Sequence, residues 1–464
     1  MRNVRTIFVF GVLGLILACG GGSNSNGGGG GGGGGIPGCT MGTSVSAGGN
    51  VIARAAANVA PLVVDGGLPN TPYLNGVFTT VMVCQPGAQK GGTNCQNIDH
   101  VLVDTGSYGL RLLQGPAGST AGGELTLSLP QQVDSSGNLV AECAQFSDGI
   151  TWGSVRMADI YIAGEAANNV VNNTDVGVPI QIIGDSDQRF ATVPAACTKF
   201  GTPENTLSKL LANGIIGVGP FSQDCGLGCA PGTSSNPGIY YACASSGGCS
   251  TGSQPSVETI NSQVQNPVTV FTPLPGSTAA DNNGVILELP SLPGSGASVV
   301  SGSLVFGIAT QGNNGLGNAT MYAGDPSTAN ITTTFAGTPY SASFVDSGSN
   351  GYFFPSTIHT CTNNSGFYCP VSGSTPTSLT CSATTQGSNQ QQTTINFNIA
   401  NLDSLPAGSN AFNNVGGPNT PAPGSNGSTG FDWGLPFFYG RNVYTGVEQV
   451  DPSGNVTQPP FYAY

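Results

Sequence analysis

Two short stretches constrain this chain more than any other feature. Residues 101–108 read VLVDTGSY and residues 344–351 read FVDSGSNG, roughly half the chain apart. Each runs apolar residues into Asp-[Thr/Ser]-Gly-Ser, which places a carboxylate at a turn where Gly admits a close backbone approach and the hydroxyl residue bonds locally. One such turn in a chain rich in Gly and Ser is only a structural feature. Two copies in matching contexts mean more, and the contexts do match. Tyr73-Leu-Asn-Gly-Val-Phe precedes the first turn, with LRLL and then Gly214-Ile-Ile-Gly-Val-Gly after it; Leu304-Val-Phe-Gly precedes the second, with GYFFP and then Phe431-Asp-Trp-Gly-Leu-Pro-Phe-Phe after it. The repeated order of strand, Asp turn and apolar-apolar-Gly strand predicts two duplicated lobes. If a pseudo-twofold axis relates them, Asp104 and Asp346 meet and share a proton, because two carboxylates in contact cannot both ionise.

The rest of the chain is compatible with such lobes and with little else. Short β-branched and aromatic runs alternate with Gly, Pro, Asn and Ser clusters, among 73 glycines and 32 prolines in 464 residues, the pattern of an all-β protein. Strands are expected at 77–84, 101–103, 123–129, 157–163, 178–183, 303–308, 331–335 and 395–399, and one helix at 204–212, where Leu207, Leu210 and Leu211 share a face ahead of Asn213-Gly214. Residues 39–275 read as an N-terminal β lobe with loop insertions, ending in a long Gly/Pro/Ser/Cys stretch, and 276–464 as a C-terminal β lobe. Only 7% of residues are charged, with 10 basic against 23 acidic. No basic stripe exists to neutralise phosphates, so nucleic acid is excluded as a partner.

The first 38 residues form a different kind of segment. Arg2 and Arg5 precede an apolar run, 7–17, too short to span a bilayer. Ala18-Cys19 follows it, and the whole resembles a bacterial lipoprotein signal. That resemblance implies cleavage before Cys19, lipid attachment there, and a place in the cell envelope. Residues 20–38 are mostly Gly with Ser and Asn, a flexible tether whose coil dimension is roughly 20–25 Å. Setting Cys19 aside, the remaining cysteines are even in number, out of 13, which in an exported chain predicts disulfides. Cys84/Cys95, Cys225/Cys229, Cys243/Cys249 and Cys361/Cys369 suggest local staples, with connectivity open. Zinc is the competing reading of these spacings, disfavoured because His100 and His359 are the only histidines. No metal or cofactor is expected.

With its motifs quoted, the chain resembles the pepsin-like aspartic peptidases over most of residues 70–450. The resemblance implies an all-β, bilobal acid-protease fold. It also implies catalysis by Asp104 and Asp346, with Ser107 and Ser349 bonding the outer carboxylate oxygens, Gly106 and Gly348 in the turns, and Thr105 and Ser347 bracing the lobes. A water activated between the two acids would attack a peptide carbonyl in an extended substrate, with no covalent intermediate. Two positions depart from the pattern. The family's flap hairpin carries a tip residue that is commonly Tyr, and the matching position here is Phe146, with Trp152 a further flap candidate. Asp432 stands where the second apolar-apolar-Gly strand expects an aliphatic side chain. Two alternatives are weighed: a serine hydrolase built on Gly248-Cys-Ser-Thr-Gly252, which lacks the strand–turn–helix setting that motif requires, and a non-catalytic surface lipoprotein of the same fold that binds peptide, glycan or a protein partner. A monomer is expected.

Overall fold

A computed structural model describes residues 36–42, 49–115, 123–146, 148–224, 239–249, 262–419, 430–450 and 456–464. The described chain is nearly all strand, arranged in two large sheets and three short hairpins. No helix among the described residues is long and apolar enough to cross a membrane. Residues 1–35, including Cys19, lie outside them.

The internal echo of the sequence is an echo of strand pairing. In the first half, the strand Cys95–Asp104 runs parallel to Gly214–Val218, which is antiparallel to Tyr108–Leu113, itself parallel to Val178–Ile183. In the second half, Thr338–Val345 runs parallel to Asp432–Trp433, which is antiparallel to Tyr352–Phe353, itself parallel to Gly416–Gly417. The same four-strand arrangement therefore cradles each Asp turn. The larger sheet continues across both halves, because Val59–Asp65 pairs with Val300–Phe306. Asn75 pins the junction: fully buried, at φ 51°, it donates to the carbonyls of Asn350 and Phe412 and accepts from the Phe412 amide.

The two cores differ in content. First-half strands contribute Val, Ile and Leu, as expected of strands buried on both faces. The second half adds an aromatic stack in which the Phe431 ring lies 4.3 Å from Trp433 and 4.8 Å from Phe354, near-parallel contacts that add to their area burial.

Three sequence expectations are corrected or extended here. Residues 123–129 form no strand, only an isolated bridge at Leu125. The Gln96 side chain takes the place of a ladder, accepting from the Thr126 and Leu127 amides at 2.8 and 3.0 Å and donating to the Glu124 carbonyl. The helix at 204–212 shrinks to one turn, Leu207–Leu210, because the Glu204 amide bonds the Ile150 carbonyl and Leu211 turns left-handed at φ 63°. Disulfides join Cys84–Cys95, Cys243–Cys249 and Cys361–Cys369 locally, but also Cys143–Cys197 and Cys39–Cys381 over long separations. The last of these ties the strand Cys39–Met41 to Ser378–Gln386 in the second half. Cys225 and Cys229 lie outside the described residues, as does Ser250 of the Gly-x-Ser-x-Gly stretch, whose neighbour Cys249 is a disulfide partner.

Candidate active site

Each Asp turn is positioned from behind by a glycine. Gly217 is register partner to Asp104 and Gly109, and a Cβ there would stand 2.4 Å from the Tyr108 nitrogen. Gly434, its counterpart, would place a Cβ 2.1 Å from the Gly351 carbonyl oxygen. Any side chain at either position would push the turn forward, so both glycines are sterically required.

The turns meet face to face. The Thr105 amide donates to Ser347 Oγ at 3.1 Å and the Ser347 amide to Thr105 Oγ1 at 2.9 Å. The two hydroxyls in turn donate to the opposite strands, Thr105 to the Val345 carbonyl at 3.3 Å and Ser347 to the Val103 carbonyl at 2.7 Å. Four bonds related by a twofold lock the halves together at this point. Within each turn the carboxylate is also held twice. Asp104 accepts from the Gly106 amide at 2.8 Å and from the Ser107 hydroxyl at 2.5 Å; Asp346 accepts from the Gly348 amide and the Ser349 hydroxyl, both at 2.8 Å. A Cβ on Gly106 would lie 2.7 Å from Asp346 Cγ, and one on Gly348 would lie 2.6 Å from Asp104 Oδ1. Only glycine lets each turn approach the other's acid.

Asp104 and Asp346 are both fully buried and come together at the turns, where a Cβ placed on Gly348 would lie 2.6 Å from Asp104 Oδ1 and 3.2 Å from Asp346 Oδ1. Burial pushes both carboxyls above the ordinary Asp range. For Asp104 the rise is opposed by hydrogen bonds from Asp346, Ser107 and Gly106 and by the Arg111 charge. For Asp346 it is reinforced by the charge of Asp104, against the hydrogen bond from Ser349. Two buried carboxyls in contact cannot both ionise, so the pair as a unit favours holding one proton.

All eight turn positions expected from the sequence come together here. The two flap candidates separate. Phe146 opens the turn between the strands Leu139–Gln145 and Ile150–Ile162, its amide bonding the Gly149 carbonyl at 2.9 Å, and packs with Tyr73, Phe78 and Ile215. Trp152 instead points into the core behind the hairpin, its Nε1 donating to the Phe190 carbonyl at 2.8 Å and its ring edge-on to Tyr241.

Sequence reasoning passed over Arg111. Fully buried, it donates to Glu142 Oε1 at 2.6 Å, to Asp224 Oδ1 at 2.7 Å and to the Tyr108 carbonyl at 2.7 Å, with its guanidinium 5.8 Å from the Phe146 ring centroid. Tyr240 completes the group, donating to Asp224 Oδ2 at 3.0 Å. This network joins the strand that follows the first Asp turn to the hairpin strand bearing Glu142. The one available signal was a cation inside the apolar run LRLL. For metals, the described residues offer one cluster of ligand type, Cys361, Cys369 and Asp403, and its two cysteines form a disulfide.

Among solved structures, the chain is similar to the aspartic proteinase from Irpex lacteus at 13% identity and a TM-score of 0.43, over 88% of this chain and 96% of that one. No curated protein matches it. A family model described as a protein of unknown function, DUF3443, matches residues 54–464. Spanning most of its length, this match shows that the chain belongs to the DUF3443 family.

Proposed function

We propose that this protein is an aspartic-type endopeptidase. The observation that carries the reading is the meeting of two identically built Asp turns, each carboxyl held by its own amide and hydroxyl and brought against the other turn's glycine. In this reading Asp104, the ionised partner, takes a proton from a water as that water attacks the peptide carbonyl. Asp346 donates its proton to the carbonyl oxygen, and the pair is reset when the amine leaves. The substrate is an extended peptide, admitted beneath the hairpin that carries Phe146, with apolar side chains on either side of the scissile bond. The protein acts as a monomer at the bacterial cell envelope, held by lipid on Cys19. The five disulfides among the described residues favour such an oxidising location.

A non-catalytic binding protein is the second reading, favoured by Phe146, which has no hydroxyl to offer a substrate. One assay separates the two. The chain from Ile36 onward, which retains Cys39, is incubated with denatured protein at pH 3–8, with and without a statine-type inhibitor. The peptidase reading expects inhibitor-sensitive cleavage with an acidic optimum and two limbs that belong to the acid pair as a unit. A folded protein that cleaves nothing at any of these pH values leaves the binding reading in its place.

A further inference from the structure

Asp432 is a third carboxyl beside the pair, and the chemistry proposed above does not use it. It occupies the register position that Ile215 holds in the first half: Ile215 pairs with Leu102, two residues before Asp104, and Asp432 with Phe344, two residues before Asp346. Its neighbours across the sheet, Phe344 and Phe353, are both apolar. Flanking Phe431 and Trp433 fill the aromatic core, and the Trp433 indole is fixed on Thr333 Oγ1 at 3.0 Å.

The Asp432 side chain is fully buried, and neither oxygen has a hydrogen-bond partner of ordinary geometry. The segment that carries Asp432 runs against the second Asp turn, the Asp346 amide donating to the Trp433 carbonyl at 3.1 Å and the Leu435 amide to the Ser349 carbonyl at 2.7 Å. The groups that interact with it are Ser349 and Asp346 on that turn, Asp104, and Tyr462 on the strand Phe461–Ala463, and none of these is a cation. Ser349 is the group placed to bond Asp432, but a hydroxyl has one hydrogen, and that of Ser349 is committed to Asp346 at 2.8 Å. An ionised carboxylate in this position would have no donor, at a cost that a buried site does not sustain. A neutral acid resolves the problem, because Ser349 Oγ still has lone pairs to accept from it.

We propose that Asp432 is kept as the neutral acid and donates to Ser349 Oγ, forming a relay Asp432–Ser349–Asp346 that holds the Ser349 hydroxyl on Asp346. Asp432 is thus a positioning residue for the acid pair, and this role rests on the peptidase reading. Its protonation state does not, since it follows from burial alone. A donor behind Ser349 strengthens the bond that Ser349 makes to Asp346 and so favours ionisation of Asp346.

The test compares Asp432→Asn with Asp432→Leu. The amide of Asn can replace the donor; Leu cannot. In the pH profile of kcat/KM, Asp432→Leu should move the basic limb upward by about one pH unit, the scale of one lost hydrogen bond, while Asp432→Asn leaves it near the wild-type position. An ionised Asp432 gives the opposite sign: both variants would remove a negative charge and move the limb downward, which overturns the proposal. Infrared difference spectra at neutral pH decide the protonation state without catalysis. Loss of a protonated-carboxyl absorption in Asp432→Asn supports the neutral acid, and loss of a carboxylate absorption refutes it. If the wild type proves inactive, the peptidase reading fails while the infrared result still stands or falls separately.

Discussion

The two Asp turns are near-copies in backbone but differ in the side chains that stand beside them. Both end a strand, both are backed by a required glycine, and both hold their carboxylate with one amide and one hydroxyl. On the first-half side, the nearest strand supplies Arg111, whose charge opposes the rise that burial imposes on Asp104. On the second-half side, the counterpart of Ile215 is Asp432, and the charge of Asp104 adds to burial in pushing Asp346 up. Duplication supplies the geometry of a shared-proton site, but a symmetric site has no reason to prefer one carboxyl. Residues outside the motif, Arg111 on one side and Asp432 on the other, are what break that symmetry.

The largest effect that tests this comparison is loss of either acid. Asp104→Asn and Asp346→Asn should each lower kcat by about 10³-fold or more, the scale of a lost general acid or base, and the double variant should be no worse than either alone, since the pair acts as a unit. Initial rates on a denatured protein substrate decide this. A single variant that keeps most of the activity would mean that the halves are chemically independent.

Arg111→Met comes next. It leaves Glu142 and Asp224 buried without their cation, which should cost about 3–5 kcal/mol in chemical denaturation. It also removes the charge that opposes the rise at Asp104, so the acidic limb of the profile should move upward. Unchanged stability would show that the network is dispensable to the first half.

The smallest effect is the pH dependence of stability. Burial raises Asp159 to about 7 and Glu165 to about 8, aided at Glu165 by Asp281. Both are acids whose folded pKa lies above the unfolded value near 4. The stability they contribute is therefore present in full below that value and is lost as pH rises through about 7 and about 8. Thermal unfolding should give a Tm several degrees higher at pH 4.5 than at pH 8.5. Substituting Glu165→Gln should flatten part of that slope, and an increase in Tm toward pH 8.5 would contradict the assignment.

Much of the fold was legible along the chain, and for a definite reason. Strands 178–183 and 331–335 appear with the boundaries expected, because β-branched runs bounded by Gly, Pro and Asn carry their own start and stop signals. Gly217 and Gly434 were also readable, as members of apolar-apolar-Gly runs. Where local signals were contested by distant partners, the reading failed. Leu125 and Leu129 are buried as an alternating strand would bury them, yet the Gln96 side chain captures the backbone that a ladder would need. The leucines of 204–212 have helical spacing, but pairing of Glu204 to the hairpin consumes the first turn.

By itself, then, the sequence determined the β class, the twofold repetition and the identity of the two acid turns, all of them patterns written within a few consecutive residues. Tertiary structure alone decided what surrounds those turns. Arg111 finds Glu142 and Asp224 from separate parts of the chain, Cys39 closes on Cys381 across a separation of 342 residues, and the segment bearing Asp432 comes to lie against the second Asp turn. Burial and charge act through space, so the two carboxyls acquire their raised proton affinities only once the chain has folded and brought these groups beside them.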